Sequence, residues 1–154
     1  MQEIDFSVPP PANNGLQSFD RAGTGIDALI LPDCGPSIVV GENNEIDASG
    51  VGKIVARKGA RVRGRHGITV EALDGSIVTA GSDCRVVARS GSVVVALEGA
   101  SVVAMAQSRI FAEEGAKVFA HDGASVFARP GSEVFSYPGS CVMPFLGSLV
   151  HTAR

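Results

Sequence analysis

The chain has 154 residues, a formal net charge of −3 and a pI near 5.5, which gives no electrostatic case for binding nucleic acid or an anionic membrane. Aromatic residues make up only 5% and tryptophan is absent, while glycine reaches 19 residues; a conventional core is short of large side chains, and the backbone is expected to approach itself at regular intervals. Cys34, Cys84 and Cys141 form an odd, sparse set without CxxC spacing, which argues against a disulfide scaffold and for a reducing compartment.

Residues 1–26 read as an N-terminal proline-containing tail or cap. Glu3 to Val8 alternates as a short strand would, and Pro9-Pro10-Pro11 opens an extended linker. Leu16 to Ile26 is placed to fold over the lower end of whatever follows. The N-terminus lacks a basic region followed by an apolar run, and no segment approaches the ~18 apolar residues that span a bilayer. The expected location is the cytoplasm, or outside it by a route that uses no cleaved signal peptide.

From Asp27 to Arg154 the sequence divides into sixteen octapeptides without insertion or deletion. Position four is Ile or Val in every unit, from Ile30 to Val150, and position six is small in most. Position two is mainly Ala or Ser. Position one is Gly in eleven units, with Asp27, Asn43 and Asp83 among the substitutes. Small, branched and small residues at positions two, four and six share one face of a short strand. Gly, Asn and Asp at position one supply the positive φ of a tight turn. No octad can bury its own valine, so stacking must build the core. A helical reading fails, because 8 is not a multiple of 3.6 and branched residues at every fourth place suit strands.

Charges choose the coil size, since stacked strands set equivalent residues above one another. A sixteen-residue coil of two octads gives six favourable pairs: Glu42/Lys58, Glu45/Arg61, Asp47/Arg63, Lys58/Asp74, Glu113/Arg129 and Lys117/Glu133. One like pair, Glu98/Glu114, opposes them. Three octads per coil give three favourable pairs against six like ones, and three intertwined chains give two against four. The expected fold is all-β, a single-chain parallel β-solenoid of two facing sheets with sixteen residues per coil.

Position five faces outward, because it also holds Asp47, Arg63, Glu71 and Thr79. In the later units it reads Val95, Val103, Phe111, Phe119, Phe127, Phe135 and Met143. Phe111, Phe127 and Met143 then form one ladder, and Phe119 and Phe135 another on the opposite sheet. Tyr137 and Phe145 at position seven enlarge the patch. These seven residues, Phe111 to Phe145, are the candidate interaction site; stacking between coils and binding of a partner or second copy both account for them. The sixteenth octad leaves no residues for a cap, so an open upper end is also expected to associate. A basic cluster around Lys53, Arg57, Lys58, Arg61, Arg63, Arg65 and His66 reads as a solvated, salt-bridged surface. His66, His121 and His151 lack partners at metal spacing, and no catalytic constellation or cofactor motif is found.

Units such as GASVFARP (123–130) and GSEVFSYP (131–138) resemble octapeptide-repeat β-solenoids in general. Ice-nucleation proteins are similar in pairing two octads per coil, although their Thr-x-Thr ladders are missing here. The needles of phage tails and type VI spikes resemble the chain in their Val-centred octads, and bactofilin-type filament formers in a proline-containing tail before a Val-rich β-helix. The expected function is a non-enzymatic structural or interaction module that self-associates, as a homo-oligomer or filament, through its C-terminal half. A rigid adaptor or effector-type module that binds a partner protein, or part of a phage or secretion spike, is the alternative.

Overall fold

The computed structural model describes the backbone of residues 17–19 and 26–31, and residues 37–50 and 52–154 in full. The expected strand at 3–8, the proline linker and Cys34 lie outside the described residues. Among the described residues, seventeen strands alternate between two sheets. The odd sheet contains β1 (Gln17–Phe19), β3 (Ile38–Val40), β5 (Gly52–Ala56), β7 (Ile68–Ala72), β9 (Arg85–Ala88), β11 (Ser101–Ala104), β13 (Lys117–Ala120), β15 (Glu133–Ser136) and β17 (Leu149–Thr152). The even sheet contains β2 (Ile26–Leu31), β4 (Glu45–Gly50), β6 (Arg61–Arg65), β8 (Ile77–Ala80), β10 (Val93–Ala96), β12 (Arg109–Ala112), β14 (Ser125–Ala128) and β16 (Cys141–Pro144).

Every pairing is parallel, and from β3 and β4 upward each residue stands under the one sixteen later, as in Val94 beneath Ile110 and Val118 beneath Val134. The molecule is therefore a parallel β-solenoid of two octads per coil. The first octad departs from that register. Ile30 pairs with Ser49 rather than Ile46, an offset of nineteen, and a bulge separates Ile26 from Leu29. β1 pairs in parallel with β3, Phe19 beside Val40, which adds a strand below the first regular coil.

The inward positions form one continuous core. The position-four side chains from Ile38 to Val134 are buried, as are the position-six alanines from Ala48 to Ala128. The space between the sheets admits one branched side chain in most strands, flanked by Ala, Ser or Cys; β3 and β7 bury more, and in β7 the second, Ile68, lies across from Gly64. That geometry explains why the core needs no aromatic residue. Val142 is only partly buried and Val150 is 36% exposed, because no described strand covers them.

Corners are built as the octad requires. At 57–60 the amide of Ala60 donates to the carbonyl of Arg57 (2.9 Å), closing a β-turn whose third residue, Gly59, has φ of 75°. Asn43, Asp83 and Gln107 take the same left-handed conformation with φ near 60°. Position-one amides also bond one another up the corner, Gln107 donating to Gly123 (2.8 Å) and Gly123 to Gly139 (3.0 Å). Buried serines at position two are satisfied within their own turn: the Oγ atoms of Ser76 and Ser92 each donate to a carbonyl three residues back, at 2.6 Å. Cys84 fills the same slot, and burial pushes its thiol pKa up.

Candidate interaction surface

Alternation along each strand sends positions three, five and seven outward, and the sixteen-residue register stacks them into rows parallel to the solenoid axis. Charged rows occupy the lower half. Lys53 and Arg89 both reach Glu71, at 3.2 and 2.7 Å, and hold its carboxyl below the usual range; the Arg89 bond is the main cause. Arg63 meets Glu45 at 3.5 Å and Arg65 meets Asp47 at 2.6 Å.

These contacts correct part of the expected charge ladder. Glu113–Arg129 and Lys117–Glu133 form directly between stacked residues, at 3.3 Å each. Glu45 and Asp47 stack on Arg61 and Arg63 by backbone register but bond Arg63 and Arg65, two residues further on. Long side chains lean along the strand, so the diagonal neighbour is within reach. Glu42/Lys58 and Lys58/Asp74 form no ion pair; these are turn residues, and the Lys58 stem lies against Gly75, where a Cβ would stand 3.0 Å from its Cγ. The basic cluster thus has three members paired, Lys53, Arg63 and Arg65.

The upper half carries the aromatic rows, on two opposite faces. On the even face Phe111 stacks on Phe127 with centroids 5.1 Å apart and planes within 10°, and Met143 follows above. On the odd face Phe119 stacks on Phe135 at 5.0 Å. Tyr137 joins this odd face at position seven, and Phe145, 57% exposed, joins the even one. The seven candidate residues therefore do not form one patch. Phe119, Phe127 and Phe135 are half-buried by their neighbours in the stack, whereas Phe111, Tyr137, Met143 and Phe145 are exposed. Rings stacked face on face present their edges outward, so a ligand meets ridges separated by furrows.

The odd ladder is longer than the sequence reading made it. His151 stacks on Phe135 at 4.9 Å, with its Nε2 3.2 Å from Glu133, and His121 stacks on Tyr137 at 4.8 Å within 2° of parallel. The ammonium of Lys117 stands 4.9 Å from the Phe135 centroid. The sixteen-residue spacing places both histidines on these rings, a signal that metal-ligand spacing does not carry. Among the described residues no cluster of His, Cys, Asp or Glu is arranged to hold a metal ion, and no helix is long and apolar enough to cross a membrane. The architecture is that of a rigid scaffold with regularly spaced outer rows, and comparison with family models, curated proteins and solved structures finds no match for it.

Proposed function

We propose that the chain is a non-enzymatic structural module that self-associates laterally through the C-terminal half of its solenoid. The observation that carries this reading is the pair of outward-facing apolar rows, one on each of two opposite faces, with ring centroids 5.0–5.1 Å apart. Side chains that interdigitate with such rows over several coils must repeat at the same spacing. A second copy does so by construction, since its strands stack at the same ~4.8 Å. Exposed apolar area of this kind favours association, and two such faces on opposite sides permit growth beyond a dimer.

Light scattering coupled to size exclusion tests the proposal. The wild type is expected to run above its 15.8 kDa monomer mass in a concentration-dependent way. A variant with Phe119, Phe127 and Phe135 replaced by Thr, which keeps β propensity while removing the rings, is expected to run as a monomer with unchanged circular dichroism. A wild type that stays monomeric at all concentrations refutes the reading and favours the adaptor alternative.

A further inference from the structure

The two aromatic faces are not equivalent. On the odd face the ammonium of Lys117 lies beside both rings, 6.0 Å from the Phe119 centroid and 4.9 Å from that of Phe135, and Glu133 is held between Lys117 and His151. Covering those rings would bury charges that already have their partners, at a desolvation cost. On the even face, among the described residues, no cation stands over Phe111 or Phe127. Its charged residues sit instead in the flanking rows, Arg109 at position three and the ion pair of Glu113 and Arg129 at position seven, where they edge the rings rather than cover them.

Resting on the self-association reading, we propose that two copies pair through their even faces, antiparallel, about a two-fold axis perpendicular to the solenoid and passing between β12 and β14. This operation sets each octad position against the same position of the other copy, with β12 opposite β14 and β10 opposite β16. At position seven, Glu113 faces Arg129 of the second copy, and Leu97 faces Phe145, each pairing occurring twice by symmetry. At position five, Phe111 faces Phe127 and Val95 faces Met143. At position three, Val93 faces Cys141, and Arg109 faces Ser125. Opposite charges meet, apolar residues meet, and no like charges are opposed.

The other two-fold arrangement, with the axes parallel, sets position three against position seven at every level. It matches Arg109 to Glu113, but it also runs the full length of the sheet. Arg61 is then brought against Arg65, Arg63 against its own copy and Asp47 against its own copy. The antiparallel arrangement avoids these contacts, because β4, β6 and β8 extend past β16 of the second copy. Four strands at ~4.8 Å and a ~13 Å span from position three to seven give a flat contact of about 250 Å². That is well under the ~800 Å² per partner of a standard interface, so the dimer is weak and reversible.

Cross-linking reads the geometry directly. In a Cys34→Ser background, Val93→Cys is treated with a short bis-maleimide, because facing sheets stand ~10 Å apart, beyond disulfide reach. Covalent dimers joined through positions 93 and 141 are expected by peptide mapping, with Cys84 unmodified. Phe145→Cys in the same background would link to Cys141 of the second copy only in the parallel arrangement, and that product would overturn the inference. Leu97→Lys and Met105→Lys change equivalent position-seven residues on the even and odd faces, 40% and 36% exposed. The first is expected to weaken the dimer at least tenfold and the second to leave it unchanged. Self-association without the 93–141 link, or dissociation by Met105→Lys alone, overturns the pairing and leaves lateral self-association standing. Monomers up to about 1 mM, the limit of measurable affinity, overturn both.

Discussion

Replacing Val118 by Ala removes two carbons from a side chain with no exposed surface in the middle of the stack. The lost transfer energy is about 1.6 kcal/mol at ~0.8 kcal/mol per group. The sheets on either side are held apart by the neighbouring coils and cannot close on the gap. A residual void of about 50 Å³ then adds about 1.2 kcal/mol, for a total near 3 kcal/mol. The same change at Val142, only partly buried, is expected to cost about half as much, and at Val150, 36% exposed, under about 1 kcal/mol. Urea unfolding followed by far-ultraviolet circular dichroism measures all three, since the chain has no tryptophan to serve as a probe. Equal losses at the three sites would refute the argument, because the octads are identical at position four and only their place in the stack separates them.

Glu71 has a depressed pKa in the folded chain, so its contribution is present above the unfolded value, near 4.5, and is lost as pH falls through the lower folded value. The unfolding free energy of wild type, from urea titrations, is expected to fall on acidification more than that of Glu71→Gln, by about 0.5–1 kcal/mol given the exposure of Lys53 and Arg89. A pH dependence identical in the two proteins would remove the Lys53–Glu71–Arg89 contacts from the account. Gln107 sits at φ of 61° where most octads have Gly, and its turn ladder uses backbone atoms only. Gln107→Gly is therefore expected to stabilise by about 0.5–1 kcal/mol despite losing the exposed bond from Ser90, and a lower melting temperature would contradict this. In the native chain a maleimide is expected to label Cys141, which is exposed, while sparing buried Cys84. Cys84→Ser is expected to change stability by less than about 1 kcal/mol, because Ser76 and Ser92 already fill that slot with a bond to the turn carbonyl.

The octad was sufficient to determine the fold class. Position four could be read as the core because a branched residue every eighth place has no other partner, and position one as the corner because positive φ excludes most side chains. Ile77, Val93 and Leu97 on the outside show the limit of hydrophobicity alone: their place in the octad, not their apolarity, puts them outward. The coil size was also legible, because stacking identical units limits the register to multiples of eight and the charges select sixteen among them.

Tertiary structure decided what depends on side-chain length and on neighbours outside the unit. It turned the ladders at Glu45 and Asp47 diagonal, since a long arginine reaches along the strand as easily as across it. It moved the first octad out of register: its strand, β2, stands at the end of the even sheet and pairs with β4 through a bulge. It also gave the two aromatic ladders, which the octad already sets on opposite sheets, different surroundings, one carrying a lysine over its rings and one free of it. Position in the octad fixes which way a side chain points; what lies beside it is fixed only when coils are stacked and long side chains settle against their neighbours.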